Sequence, residues 1–344
     1  MDLNNLNPKH VTYPMRLGSD GKYLKPIFGE EEIPTFQSVT HMECFPYRHP
    51  AYPKVMEVML TMDQKIVVSL GREINLKSKA NQLPRYIACC EVTYTAVEDT
   101  SLERWSDWHS RQLTDSRWPG NAPKLPLFPG TSVRGSQGTG NPEGRRNAPH
   151  FAVNVSSGVL IKNQEDQHMM TTAARIVRPG EVVGTRVFFF QNRIGLAVDV
   201  VLGTDVALVK LDDAINYKNQ DGTTTFTRLL GEDPDDALPW NSIVSLATRW
   251  PPYTKGIIVA KSVRVVRHTA TTHYGVYHWV WTGQPGNEKG PNPAPRDTMI
   301  GAAAISETGV VTGLLHSNEH GLRAGYSIML SASELVDAGY SLVT

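Results

Sequence analysis

From His150 onward the chain is a succession of short apolar or alternating runs separated by turn residues. "HFAVNVSSGVLIK", "RVFFFQNRIGLAVDVVLG", "DVALVKL", "NSIVSLATRW", "KGIIVAKSVRVVRH", "GVYHWVWTG", "GAAAIS", "GVVTGLLHS" and "GYSIML" follow one another with almost no helical pattern before "SASELVDAG". Strand-length runs this frequent, bounded by Gly, Pro, Asn and Asp, can bury their apolar faces only by closing on one another. They predict an antiparallel barrel or sandwich.

The first third of the chain has a different texture. Residues 1 to about 36 are rich in Pro, Gly and charge, and read as an irregular arm. Val55, Met56, Met59 and Leu60 are spaced as on a helix, and "KIVVSL" and "YIACCEVTY" read as strands. In "SLERWSDWHSRQL", Leu102, Trp105, Trp108 and Gln112 share one helix face. Residues 1–120 are therefore expected to hold an arm and a small α+β domain. The Pro/Gly-dense stretch 121–149 is expected to be a linker or long loops, and residues 150–344 the β domain.

Composition excludes several function classes. Lys plus Arg and Asp plus Glu both number 34, so there is no excess of positive charge for nucleic acid or an anionic membrane. No apolar run has the length to span a bilayer. The opening "MDLNNLNPKH" lacks the apolar segment of a secretory signal. The three cysteines, two of them adjacent (Cys89 and Cys90), make no disulfide framework. A cytoplasmic protein is expected. The histidines show no H-x-H or H-E-x-x-H spacing, so no metal is expected. The glycines of "GSQGTGNPEG" neither follow a strand nor open a helix, so they are no nucleotide cradle, and no cofactor is expected.

Three pieces of the β region carry a resemblance. "SGVLI" (Ser157 to Ile161) precedes "MMTTAARIV"; "GTDVALVKL" follows, with Asp205 at a strand head; "TMIGAAAISETGVVTGLLHS" (Thr298 to Ser317) comes far downstream. In this order they resemble the trypsin-like, chymotrypsin-fold serine peptidases over roughly residues 130–344. The corresponding family pieces end a strand in T-A-A-H, read D-[IV]-A-L, and carry the nucleophile in G-x-S-G. The resemblance implies a mainly β, chymotrypsin-like double barrel, preceded here by the small α+β region.

It also implies a degenerate site. Arg175 stands at the imidazole position, Ile300 at the hydroxyl position and Asp205 at the carboxylate position. The chemistry needs a nucleophile, a base and an orienting carboxylate. A guanidinium stays protonated and cannot serve as the base, and isoleucine has nothing to attack with. Thr298, an oxyanion-donor position by resemblance, stands where the family favours glycine. Leu315, His316 and Ser317 fall on the segment that lines the family's specificity pocket. An Arg175–Asp205 pair with two parallel hydrogen bonds is expected to replace the catalytic pair.

Four functions remain open on this reading. One is a pseudoprotease scaffold that binds an extended peptide or partner protein by strand addition. Another is a small-molecule enzyme reusing the cleft for cyclisation, isomerisation or elimination, with Arg175, Asp205 and His316 converging beside Ile300. A third is a rebuilt protease using Thr298, with Asp297–Thr298 imitating the family's Asp-Ser. In the fourth, residues 1–120 carry the function and the β domain is a spacer.

Overall fold

The structure is a computed structural model. It describes residues 55–61, 66–70, 86–87, 90–96, 127–136, 154–177, 184–189, 192–222, 224–233, 236, 242–247, 254–266, 270–281, 299–318 and 326–344. The chain divides into two compact units. One comprises residues 1–110 with 259–274, and the other residues 111–258 with 275–344.

In the first unit, β1 (Val55–Thr61) lies antiparallel to β2 (Ile66–Leu70) on one side. On its other side it pairs with residues 260–264. Strand β2 runs parallel to the later of two further strands, β3 (Tyr86–Ile87) and β4 (Cys90–Ala96), which also pair with each other. The helical reading of Val55 to Leu60 is corrected: the segment is a strand. Val58, Met59 and Leu60 are all buried, so both faces of β1 are covered and its apolar residues do not alternate with polar ones. A strand buried on both sides loses the alternation that separates it from a helix. "SLERWSDWHSRQL" lies outside the described residues.

The second unit holds two closed rings. The first consists of β5 (Ser132–Ser136), β6 (Asn154–Lys162), β7 (His168–Ala173), β8 (Arg186–Phe189), β9 (Asn192–Val200) and β10 (Val206–Leu211). The pairings run β6–β5–β8–β9–β10–β7 and back to β6, all antiparallel. Its strands bury Val155, Val159, Ile161, Met170, Val187, Ile194, Ala197, Leu208 and Val209. Between the rings come a small hairpin, β11 (Gln220–Asp221) with β12 (Thr224–Thr225), and the two-residue β13 (Arg228–Leu229).

The second ring uses β14 (Ile243–Leu246), β15 (Thr254–Val266), β16 (Ala270–Trp281), β17 (Ala303–Ser306), β18 (Val310–Asn318) and β19 (Tyr326–Ser331), with residues 254–258 of β15 and 275–281 of β16 falling in this unit. It closes through the β14–β15 pairing, and β13 runs parallel to the start of β18. Within each ring closure gives every strand two neighbours, which is how antiparallel all-β domains satisfy their backbone groups. The expected mainly β double barrel is what forms.

Strand β5 falls inside residues 121–149, the stretch read as linker. It is short, with one apolar residue, Val133, which is 1% exposed. Pro/Gly density on either side hides it. After β19 come a one-turn helix, α1 (Ser333–Asp337), and β20 (Ser341–Leu342), which pairs with β6. Among the described residues no helix is long and apolar enough to cross a membrane.

Two titratable groups of this unit, Tyr217 buried and Asp221 half-buried, each make a prediction. The Tyr217 hydroxyl donates to Gly158 O at 2.9 Å from a buried position, and burial pushes its phenol far up from the ordinary value. Tyr217→Phe should cost about 1–2 kcal/mol by leaving that carbonyl unpaired. In an alkaline absorbance titration this phenol should ionise only as the chain unfolds.

Asp221, in the β11–β12 hairpin, has its carboxyl pushed up to about 6 by burial. Its native value exceeds the unfolded one of about 3.9. The protonated native form therefore holds stability at low pH that is lost as pH rises through about 4 to 6. Asp221→Asn should raise stability at neutral pH by about 1 kcal/mol, after discounting for its partial exposure, and change little below about pH 4. Urea denaturation at the two pH values measures this.

Candidate functional site

The site is assembled where β7 ends, β10 begins and β18 bulges. Strand β7 gives way to a 3-10 turn at Ala174–Ile176, which presents Arg175. The Ala174 N–H donates to Asp205 O at 2.9 Å, and Val206 is in register with Ala173. Asp205 is thus fixed beside that turn by backbone pairing. The preceding Thr204 hydroxyl accepts the Val206 N–H, which closes the turn into β10.

Ile300 lies in the tight turn before β17, in which the Ala302 N–H donates to Met299 O at 2.9 Å. The turn is stitched on both sides. Ser156 N–H of β6 donates to Ile300 O at 2.8 Å, and Gly301 N–H donates to Leu315 O of β18 at 2.7 Å. Ile300 itself is 2% exposed, so its side chain is a core group rather than a cleft wall.

His316 is the extra residue of a β-bulge. Leu315 pairs with Met329 and Ser317 with Ile328, leaving His316 between them. A bulge re-aims the side chain it carries. Here the His316 Nδ1 comes within 3.0 Å of Asp205 Oδ2, with the two side chains 15% and 9% exposed. The approach has ion-pair distance but misses hydrogen-bond alignment, so it counts as an electrostatic contact. The bulge also frees the His316 carbonyl, which accepts Arg175 Nη2–H at 3.3 Å.

This corrects the expected Arg175–Asp205 pair. Asp205 faces an imidazole, and Arg175 reaches past it to the backbone of the same histidine. Arg175 starts one residue from Ala174, whose amide already holds Asp205, so its long side chain overshoots the short carboxylate. The structure therefore brings together Arg175, Asp205 and His316. Leu315 is buried beneath them, and Ser317 is half-buried on the same strand. Thr298 and Asp297 lie outside the described residues. Residue spacing carries no sign that His316 meets Asp205, because a bulge has no local signature of its own in "GLLHSN".

Thr172, Ala173, Asp205, Gly301, Leu315 and His316 line a cavity of about 10 Å³. That is room for about one water molecule. The Thr172 hydroxyl is committed to Ser156 O at 2.8 Å. Among the described residues no group of His, Cys, Asp and Glu could hold a metal ion.

No protein-family model and no curated protein sequence matches the chain. Among solved structures it is similar to a Nocardiopsis protease, at 17% identity and a TM-score of 0.42. It is likewise similar to Thermobifida fusca protease A, at 16% and 0.42, and to a Cellulomonas bogoriensis chymotrypsin, at 14% and 0.41. Each likeness covers 64% of this chain and all of the other. The double-barrel architecture rests on the strand pairings described above.

Proposed function

We propose that this chain is a trypsin-like protein that does not hydrolyse peptide bonds, and that it works as a scaffold binding an extended segment of a partner protein. The observation that carries this reading is Ile300. It stands at the nucleophile position by resemblance, is 2% exposed, and is locked by backbone bonds from both sides. No rotamer of isoleucine offers a hydroxyl or thiol, and acyl transfer needs one. Arg175 adds to this, since its guanidinium is a permanent donor already directed at a carbonyl.

The small-molecule reading is disfavoured by the cavity. Sites for organic ligands run to hundreds of Å³, whereas the space beside Asp205 and His316 holds about one water. The rebuilt-protease reading has one observation behind it: His316 returns an imidazole to the Asp205 carboxylate. A carboxylate-oriented imidazole is half of an acyl-transfer site, and Thr298 would have to supply the rest.

Assay of the full chain against a fluorogenic peptide library separates these readings. Turnover no greater than the uncatalysed rate is expected. Turnover that disappears in Thr298→Ala would overturn the proposal in favour of the rebuilt site.

A further inference from the structure

The first barrel has a second backbone edge of interest, built from residues other than Arg175, Asp205 and Ile300. Strand β5 and the two residues before it, Gly130 and Thr131, cover β6 only from residue 154 to Ser157. Further along, the same edge of β6 is completed by two different devices. Asn219 presents its side-chain amide as though it were strand backbone: Oδ1 accepts Leu160 N–H at 2.8 Å and Nδ2 donates to Leu160 O at 2.7 Å. Beyond it, β20 pairs antiparallel with β6, Ser341 opposite Lys162 and Leu342 opposite Ile161.

What holds β20 there is almost all main chain. Val343 N–H donates to Leu160 O at 3.1 Å, and Asn219 Nδ2 donates to Val343 O at 2.7 Å. Leu342 N–H donates to Glu232 Oε1 at 2.7 Å. One side chain is buried, Leu342 at 4%, while Ser341 and Val343 are half-buried and Thr344 is exposed. Main-chain bonds accept any extended segment, and a single pocket selects the residue that fits it. That is the logic of strand addition. A two-residue strand is also shorter than strands usually are, so its hold is modest.

We propose that the β6 edge, Asn219 and Glu232 form a slot for an extended peptide with one aliphatic anchor. In this structure residues 341–343 fill the slot, and a partner's segment takes it when they lift away. The proposal rests on the reading of the chain as a peptide-binding scaffold and locates its binding edge. Its partner is an extended, uncharged stretch with Leu or a similar side chain at the buried position, since a charge there would lie against the core.

Hydrogen exchange on the unaltered chain tests whether the segment lifts. The Leu342 and Val343 amides should exchange at least about tenfold faster than those of Leu208 and Val209 in β10, through local opening. Equal protection would mean that the segment leaves only when the whole barrel melts, and would overturn the proposal. The second arm uses a fluorescent Tyr-Ser-Leu-Val-Thr peptide and full-length Leu342→Lys, whose own segment cannot seat. The variant should bind the peptide at least about tenfold more tightly than the unaltered chain, where the tethered segment competes at high effective concentration. A folded variant that binds no better overturns the slot, and the exchange arm decides the matter if that variant does not fold. Neither arm involves hydrolysis, so failure here leaves the account of Ile300 standing, and turnover in the peptide assay leaves the slot standing.

Discussion

Gly301→Ala is expected to destabilise the double-barrel unit by about 3–5 kcal/mol, combining backbone strain with overpacking. Gly301 has φ of +95°, a region that L side chains rarely adopt. A Cβ there would sit 2.5 Å from Ser156 O and 2.8 Å from Ala173 N. Both are backbone atoms, one on β6 and one at the end of β7, and both strands are paired within a closed ring. Neither can retreat without breaking ladder bonds. Gly184 is the control, because it has nearly the same φ, +96°, and a methyl group there would meet nothing within 4 Å. Gly184→Ala should cost only the conformational part, about 1–2 kcal/mol. Denaturant midpoints of the two variants, compared at equal slope, isolate the clash at the candidate site. Equal losses would mean that the turn carrying Ile300 is not wedged against β6 and the end of β7.

The second large effect is expected at Asn219. Its amide makes three hydrogen bonds, to Leu160 N, Leu160 O and Val343 O, and the residue is 9% exposed. Asn219→Ala leaves the Leu160 N–H buried without its partner, a penalty of about 1–3 kcal/mol by itself. With the loss of the Val343 contact the total should be about 2–4 kcal/mol. Leu160 O suffers less, since Val343 N–H still donates to it. Asn219→Asp should be no milder, because it turns a donor toward two carbonyls into a charge facing them. Thermal melts of the two variants check this. A loss below about 0.5 kcal/mol for the alanine variant, the range of ordinary surface substitutions, would contradict the strand-surrogate role.

The two effects differ in how visible they are from sequence. "SGVLI", "MMTTAARIV", "DVALVKL" and the run through "GLLHS" are legible because each strand alternates or runs apolar between turn residues. β6, β7, β10 and β18 form where those patterns place them. Gly301 is legible as the glycine that follows the nucleophile position by resemblance. Strand β5 is not, because its single buried side chain, Val133, leaves no period to read. Strand β1 is obscured by the opposite condition, burial on both faces.

At the candidate site, sequence locates the positions but not the partners. Arg175, Asp205 and His316 do converge, yet the guanidinium and the carboxylate do not pair as their opposite charges suggest. A one-residue bulge turns His316 inward to Asp205 and leaves its carbonyl for Arg175. Bulges are set by the fit of one strand to its neighbour, which a single strand's residues do not encode. Asn219 is invisible for a related reason. Its value lies in a tertiary match to the β6 backbone, and an Asn in a polar loop looks like any other turn residue.

The central claim is that no nucleophile remains where Ile300 stands. A fluorophosphonate probe tests it most directly, because it captures an activated hydroxyl whatever the substrate preference. Incubated with the folded full-length chain, the probe should leave the intact mass unchanged and label no peptide containing Thr298 or Ile300. Stoichiometric labelling that is lost on heat unfolding would contradict the account, and its position would name the nucleophile.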